Sequence, residues 1–515
     1  MKSFQDHFNI TDTLRKPVYR SSAIFPFILE KNIDTKIIFL SYWFLKRKIS
    51  EVSLLITIRN INGKIIKRLR DKINCVKSYN ISLKELLLKN NLSRGSIELE
   101  IFSTEDMVFP FPAFSINLVS RECTTSVHSC GRIYNDFDDF ISNSKIIVPE
   151  SGFDILPDKN LKPFFSFVNG PLELKNSLLE IKIINFEGEK KYKKINLKHI
   201  CEYETKIIFF LNEIEKKFLK NQKGTVSIKH NFKSFFPRFM CGNLEKNNDF
   251  SSLTHSYYDL SKSVDKKNEI WKNPNKNIFF DGAVSVPFFK EENKYTELAI
   301  YPNFIDKKFT LYFDLHDEKG NFIENLPPIK INKKLLMPLY LNFTKNLNTK
   351  KKSNKNYFLR IFVDGGGQIP TRLKFALNVG QRRLKYNVPS NICFNVRVPN
   401  SNIVNKPSTF KWGPIITGNV SQLLISNISY LKNGFKDANI VLSFWNDKKD
   451  GKPITKKIKI NDNGFYSFDL KKNLSIMKYM NNKTGWVTIQ SDNPFVDGWY
   501  FNFGKNGVVG ADHLF

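Results

Sequence analysis

The sequence predicts an all-β protein built from four tandem homologous antiparallel β-sandwich repeats of about 125–130 residues. Three features carry this reading. A strand ending in an Asn or Asp turn recurs four times, two further strands follow it each time in the same order, and few windows show helical periodicity.

The first element occupies 53–63, 177–188, 310–320 and 441–451, and its turn residues Asn60, Asn185, Asp317 and Asn446 step by 125, 132 and 129 residues. One quarter of 515 is about 129, so the period has the size of a domain. The second element, at 79–83, 205–211, 336–341 and 465–470, is short, and its first and last copies alternate with period two. The third lies at 95–101, 224–229, 357–363 and 485–490, opening on Gly95, Gly224 and Gly485 but on no glycine in the third copy. In its first copy Ile97, Leu99 and Ile101 point one way and Glu98 and Glu100 the other, the pattern of a half-buried antiparallel strand. Short helices are expected only near 83–90, 211–220 and 474–481. Repeats open near Pro26-Phe27, Pro163-Phe164-Phe165 and Pro287-Phe288-Phe289, and polar linkers fall at 136–150, 261–277 and 386–408. The sandwiches then occupy 1–140, 150–262, 277–388 and 405–515, the third being basic and divergent.

With 41% hydrophobic and 14% aromatic residues, 47 of them Phe, the chain is too apolar for a disordered polyanion-binding tail. The apolar run at 37–45 is far shorter than the ~20 residues of a membrane span. The N-terminal residues show no apolar leader, and the six Cys form no CxxC pair. A cytoplasmic protein with reduced thiols is expected, although Cys123 and Cys130 could pair in an oxidising compartment.

The formal charge of +31 invites an anionic partner. Lys inflated by A/T-rich coding, with only 15 Arg, explains part of it, but not its unevenness. Residues 1–140 hold 21 basic and 15 acidic residues, whereas 330–390 hold 14 basic and one acidic. The anion-binding candidates in that stretch are Lys351, Lys352, Arg360, Arg372, Arg382 and Arg383. Aromatic faces stack on sugars or bases, and the candidates are Phe109, Phe111, Phe235, Phe236, Trp499 and Tyr500, although such residues more often form core.

Three of the seven histidines, His128, His255 and His513, lie 33, 31 and 28 residues after Gly95, Gly224 and Gly485. The third repeat carries 378–383, Asn-Val-Gly-Gln-Arg-Arg, where its histidine should fall. The recurring imidazole either closes each sandwich with a backbone hydrogen bond or marks a ligand site, with Ser129, Ser256 or Asp512 beside it. Zinc needs three or four converging ligands, and one histidine per repeat supplies them only if the sandwiches bring their ends together. No metal or cofactor is therefore expected. Ser and His adjacent in a strand point to opposite faces, so neither Ser129 nor Ser256 pairs with its neighbour as a nucleophile.

The sequence contains no GxSxG elbow, P-loop, HExxH or GxGxxG after a strand. The run 364–368, Asp-Gly-Gly-Gly-Gln, reads as a flexible turn, 461–464 as a hairpin turn, and 136–139 as a solvated acidic linker. The preferred reading is a non-enzymatic binding or scaffold protein contacting an anionic or glycan-like ligand through the third repeat. The alternatives are a nucleic-acid-binding protein, or an enzyme such as a hydrolase in which one of the three histidines meets a carboxylate in a cleft.

Overall fold

The computed structural model describes residues 18–108, 112–128, 131–133, 150–230, 232, 238–258, 270–291, 293–341, 356–448, 452–481 and 483–515. The first sandwich contains β1 (Tyr19–Ile28), β2 (Asp34–Leu40), β3 (Val52–Asn60), β4 (Ile65–Ile73), β5 (Ser78–Ser82), β6 (Arg94–Ser103), β7 (Ser115–Val119) and β8 (Thr124–His128). They form two antiparallel sheets, ordered β1-β6-β3-β4 and β5-β2-β7-β8. The same two orders recur in the second sandwich (Glu150–Ile155 to Ser251–His255), the third (Gly282–Phe289 to Ile392–Asn395) and the fourth (Thr409–Ile415 to Val509–His513). The second adds Tyr257–Tyr258 beside its first strand. Four tandem sandwiches of one topology therefore make up the described chain; Leu83–Leu86, Glu213–Phe218 and Leu474–Met480 are short helices beside the second-element strands, and two helical turns lie where none was expected, Trp43–Arg47 and Ser401–Val404.

The recurring turn has one chemistry. Asn60 Oδ1 accepts the N–H groups of Asn62 (3.1 Å) and Lys64 (3.0 Å), Asn185 Oδ1 those of Glu187 and Glu189, and Asp317 Oδ1 those of Lys319 and Asn321. The side chain thereby replaces a backbone acceptor, and glycine takes the positive φ of the last position, +83° to +87° in Gly63, Gly188 and Gly320.

These turns also join the units. Thr205 N donates to Ile61 O (2.9 Å), Phe465 N to Glu318 O (3.2 Å) and Ser78 N to Asn446 O (2.8 Å), so each turn meets the start of a neighbouring unit's fifth strand. Between the second and third units, Phe186 stacks on Tyr340 at 6.4 Å and Gly188 lies against Met337. The order of contacts is first to second, second to third, third to fourth and fourth back to first. A head-to-tail interface repeated from copy to copy closes into a ring when its rotation per copy completes a full turn, and here four copies close it within one chain.

Interfaces carry much of the core. The apolar cluster of the first sandwich takes in Trp412, Trp445 and Trp486 of the fourth, and that of the third takes in Leu424, Phe465, Trp499, Phe501 and Phe503. Polar groups expected at the surface are accordingly covered. Glu98, on the outward face of β6, is buried and pairs with Arg59 at 2.8 Å and Arg20 at 3.5 Å, while Arg59 lies 4.3 Å over the Tyr203 ring of the second unit.

Two expectations are corrected. The stretches 386–408 and 261–277 are not simply linkers: the first contains Ile392–Asn395, the eighth strand of the third sandwich, and the second contains the strand Ile270–Lys272, paired with Gln368–Pro370. The glycine run 365–367 is a clamped turn, with Gly365 N and Gly367 N each donating to Asp281 Oδ2 at 2.8 Å. Of the linkers, 136–149 and 261–269 lie outside the described residues, as do the acidic 136–139.

A glycine substitution tests the ring contact. A Cβ on Gly320 would stand 2.2 Å from Asp462 O of the next unit, whereas one on Gly366 would meet nothing within 4 Å. Both have positive φ, a conformation costing an L-residue roughly 1–2 kcal/mol. Gly320→Ala is expected to lower the melting temperature by several degrees more than Gly366→Ala; equal shifts in a thermal scan would mean the turn contact contributes nothing.

A candidate ligand site on the ring axis

The eighth strand is the outer strand of each β5-β2-β7-β8-type sheet, and ring closure brings the four eighth strands together. Thr125 Oγ1 donates to Ser251 O (2.7 Å), Thr254 Oγ1 to Asn391 O, and His128 N to Asp512 Oδ2 (2.9 Å). The recurring histidines consequently converge: the His128 ring centre is 4.7 Å from that of His255 and 4.8 Å from that of His513. The condition that made a shared site improbable from sequence is thus met.

The third unit contributes a cysteine where its siblings have histidine. Cys393 is opposite Ala376, as His255 is opposite Met240, His128 opposite Ser115 and His513 opposite Trp499. Three residues upstream, Ser390 Oγ accepts Val379 N at 3.0 Å, just as Ser252 Oγ accepts Asn243 N at 3.0 Å. The expected position at 378–383 was wrong because a long connection, 382–391, separates the last two strands of this unit.

The four positions line one cavity of about 240 Å³, together with Arg238, Lys374, Arg397, Asp497, Phe394 and Trp499. His255 Nδ1–H donates to Ser256 O (2.9 Å) and His513 Nδ1–H to Leu514 O (3.0 Å). A neutral imidazole donating at one nitrogen carries a lone pair on the other. Nε2 of both is therefore an acceptor, and among the described residues it has no hydrogen-bond donor. Burial holds both imidazoles below their ordinary range, His513 at about 4, with Arg238 and His128 pushing His255 further down. His128 Nδ1 lies 2.7 Å from Asp512 Oδ2, and its Nε2 lies 3.3 Å from Arg238 Nη1. Burial alone would raise the Asp512 carboxyl, but the adjoining His128 and His513 and the hydrogen bond from His128 hold it well below the carboxylate range. Asp497 pairs with Arg397 and, at 3.3 Å, with Lys411.

The histidines set a pH dependence. In the unfolded chain they titrate near 6.5, whereas His255 and His513 are held neutral in the fold, so below about pH 6.5 the unfolded state binds more protons. Stability is expected to fall as pH drops from 6.5 towards 4. His255→Gln should flatten that slope of melting temperature against pH; an unchanged slope would remove His255 from the account.

His128, Asp512 and His513 each offer a ligand atom within 4.8 Å of the others, so the axis could in principle hold a metal ion. The donor set fits poorly. His255 falls outside that group, the Arg238 guanidinium occupies the far nitrogen of His128, and Lys374 and Arg397 add positive charge to the wall.

The remaining candidates scatter. Arg360 is enclosed between the third and fourth units, 2.5 Å from Asp314 Oδ2 and 3.3 Å from Asn463 Oδ1. Arg382 is exposed over the Tyr295 ring, Arg383 is exposed at the following left-handed position, and Arg372 is half-buried. These arginines do not make one basic face. Trp499 and Tyr500 are only 2% exposed: Trp499 donates to Ser285 O at the join with the third unit, and Tyr500 belongs to the fourth core. Neither offers an open stacking face, although Trp499 lines the cavity. Lys351, Lys352, Phe109, Phe111, Phe235 and Phe236, with Ser129 and Cys130, lie outside the described residues. Sequence reading counted Lys374 only within the basic stretch 330–390 and did not single out Arg238, Cys393, Arg397 or Asp497, which come from three different units and share no local pattern.

The fold is a tandem array of β-sandwiches, and the site is a histidine-lined cavity where the units meet. No family model matches the chain, and no curated protein matches it. Among solved structures it is similar to a tetra-tandem repeat in the extending region of a large adhesion protein, with 8% identity over 90% of each chain; the TM-score of 0.10 leaves that likeness without weight for fold or function.

Proposed function

We propose that the chain is a non-enzymatic binding or scaffold protein: a ring of four β-sandwiches that receives an anionic ligand in its axial cavity. The observation that carries this is the convergence of the repeat-equivalent positions, His128, His255, Cys393 and His513, on one cavity whose wall also bears Arg238, Lys374 and Arg397. Cationic donors in a partly enclosed site strengthen attraction for an anion, because the local dielectric is lower than that of water. Small anions (phosphate, citrate, propionate), heparin and single-stranded DNA, titrated calorimetrically at two salt concentrations, test it. Binding of a small anion, weakened at least tenfold by Arg238→Gln, is expected. Binding of polymers alone, unaffected by this variant, would transfer the role of the charge to the outer surface and favour the nucleic-acid reading. Among the described residues no helix is long and apolar enough to cross a membrane.

The enzyme reading has one observation behind it, the His128–Asp512 pair at 2.7 Å, which resembles a base and its orienting carboxylate. Arg238 Nη1 at the far nitrogen stands where a nucleophile or water would have to give up its proton. Hydrolysis of generic esters that persists in the purified protein and is abolished by His128→Gln would favour that reading over ours.

A further inference from the structure

We infer that the ligand of the axial cavity is a small sugar acid, a single polyhydroxylated ring or chain bearing one carboxylate. The inference rests on the anion-binding reading above and narrows it. About 240 Å³ lies below the ~300–1,000 Å³ of pockets for drug-sized ligands, so the cavity itself has room for one sugar unit or less.

The wall divides by hydrogen-bonding character. Arg238, Lys374 and Arg397 can only donate; Arg397 already pairs with Asp497 of the same wall, and a ligand carboxylate would add a second acceptor to this cationic side. His255 Nε2 and His513 Nε2 can only accept, because each ring's N–H is already given to the backbone oxygen of the next residue. A bare carboxylate or phosphate offers acceptors to the first group and no donor to the second. A ligand with hydroxyl groups as well satisfies both. Phe394 and Trp499, both buried, show only ring edges at the cavity wall, and the Trp499 ring is fixed by its N–H donated to Ser285 O at 3.1 Å; they supply an apolar boundary beside the polar groups and no open stacking face. Sites built to hydrogen-bond a hydroxyl reject the analogue that lacks it, because their polar groups are then left unpaired.

The test is calorimetric titration of the full chain with glucuronate, glucose, cyclohexanecarboxylate and zinc chloride. Cyclohexanecarboxylate keeps the ring and the charge and removes the hydroxyl groups; glucose keeps the hydroxyl groups and removes the charge. Glucuronate is expected to bind at least tenfold more tightly than either. Arg238→Gln should bring its affinity down to that of glucose, and His513→Phe down to that of cyclohexanecarboxylate, with thermal unfolding confirming that both variants fold. If His513→Phe does not fold, His513→Gln, which keeps an acceptor, should retain a preference for glucuronate over cyclohexanecarboxylate. Equal binding of glucuronate and cyclohexanecarboxylate overturns the sugar-acid inference and leaves the anion reading standing. No binding of any carboxylate up to 10 mM, ~2.7 kcal/mol of affinity at best, overturns both. Zinc binding that excludes glucuronate overturns the inference in favour of a metal centre.

Discussion

Trp486→Ala is expected to destabilise the protein by about 3–5 kcal/mol, in the range for deleting a large buried aromatic side chain. Trp486 is fully buried, and it belongs to the same apolar cluster as Trp43 of the first sandwich and Trp412 and Trp445 of the fourth. Its ring is 5.9 Å from that of Phe515, which in turn stacks on Trp412, and Trp412 stacks on Tyr42 of the first unit at 4.7 Å. Its indole N–H has no partner among the described residues, so the loss is one of packing and apolar burial rather than of a hydrogen bond. The effect should exceed that of an ordinary core truncation in one respect. The cavity opens at the join between the last sandwich and the first, so the ring as well as the fold is weakened. Denaturant unfolding followed by tryptophan fluorescence measures the first, and small-angle scattering measures the second as an increase in radius of gyration at denaturant concentrations where the wild type stays compact. A midpoint shift below about 1 kcal/mol would mean that ring closure does not depend on this cluster.

That closure marks the boundary of what the sequence discloses. The four-fold recurrence was legible because each copy keeps an Asn or Asp whose side chain caps the turn and, three residues on in the first and third copies and in the second as well, a glycine at positive φ. A requirement of backbone geometry repeats in sequence wherever the geometry repeats. The histidines were legible for the same reason, as one register position at the end of the last strand. Their meeting was not. It depends on the angle between neighbouring units, which is set by dispersed contacts such as Phe186 on Tyr340, Arg59 on Tyr203 and Tyr42 on Trp412. The distribution of charge depends on the same geometry. Fourteen basic residues within 330–390 look like a face when read along the chain. In the folded ring Arg360 is spent at a unit boundary, Lys374 on the axis and Arg382 on a tyrosine ring. Glu98 shows the converse error, since strand alternation identifies the face opposite the sandwich core but not whether another sandwich covers it.

Asp512→Ala is expected to be as damaging as the tryptophan change, for an electrostatic reason. The carboxylate accepts three hydrogen bonds: His128 N (2.9 Å), His128 Nδ1–H (2.7 Å) and His513 N (2.8 Å). Through it a side chain of the fourth unit's last strand holds both the backbone and the ring of His128, the last residue of β8. Alanine would leave these donors buried without an acceptor, at about 1–3 kcal/mol each, and a total loss on the order of 3–5 kcal/mol follows from breaking a buried pair on one side. Asp512→Asn keeps the shape and one acceptor and should lose less. The two variants also separate the acid behaviour of the protein into two ranges. Asp512 is held below its unfolded value of about 3.8, so its stabilisation is present above that pH and is lost only as pH falls further, through the folded value. The histidine contribution, by contrast, declines between about 6.5 and 4, where the unfolded chain gains protons that the buried imidazoles do not. In Asp512→Asn the loss of stability below pH 3.8 should therefore shrink while the decline above pH 4 persists. If both variants melt with the wild type at neutral pH, the meeting of the last strands is held by their apolar neighbours and the carboxylate is incidental to it.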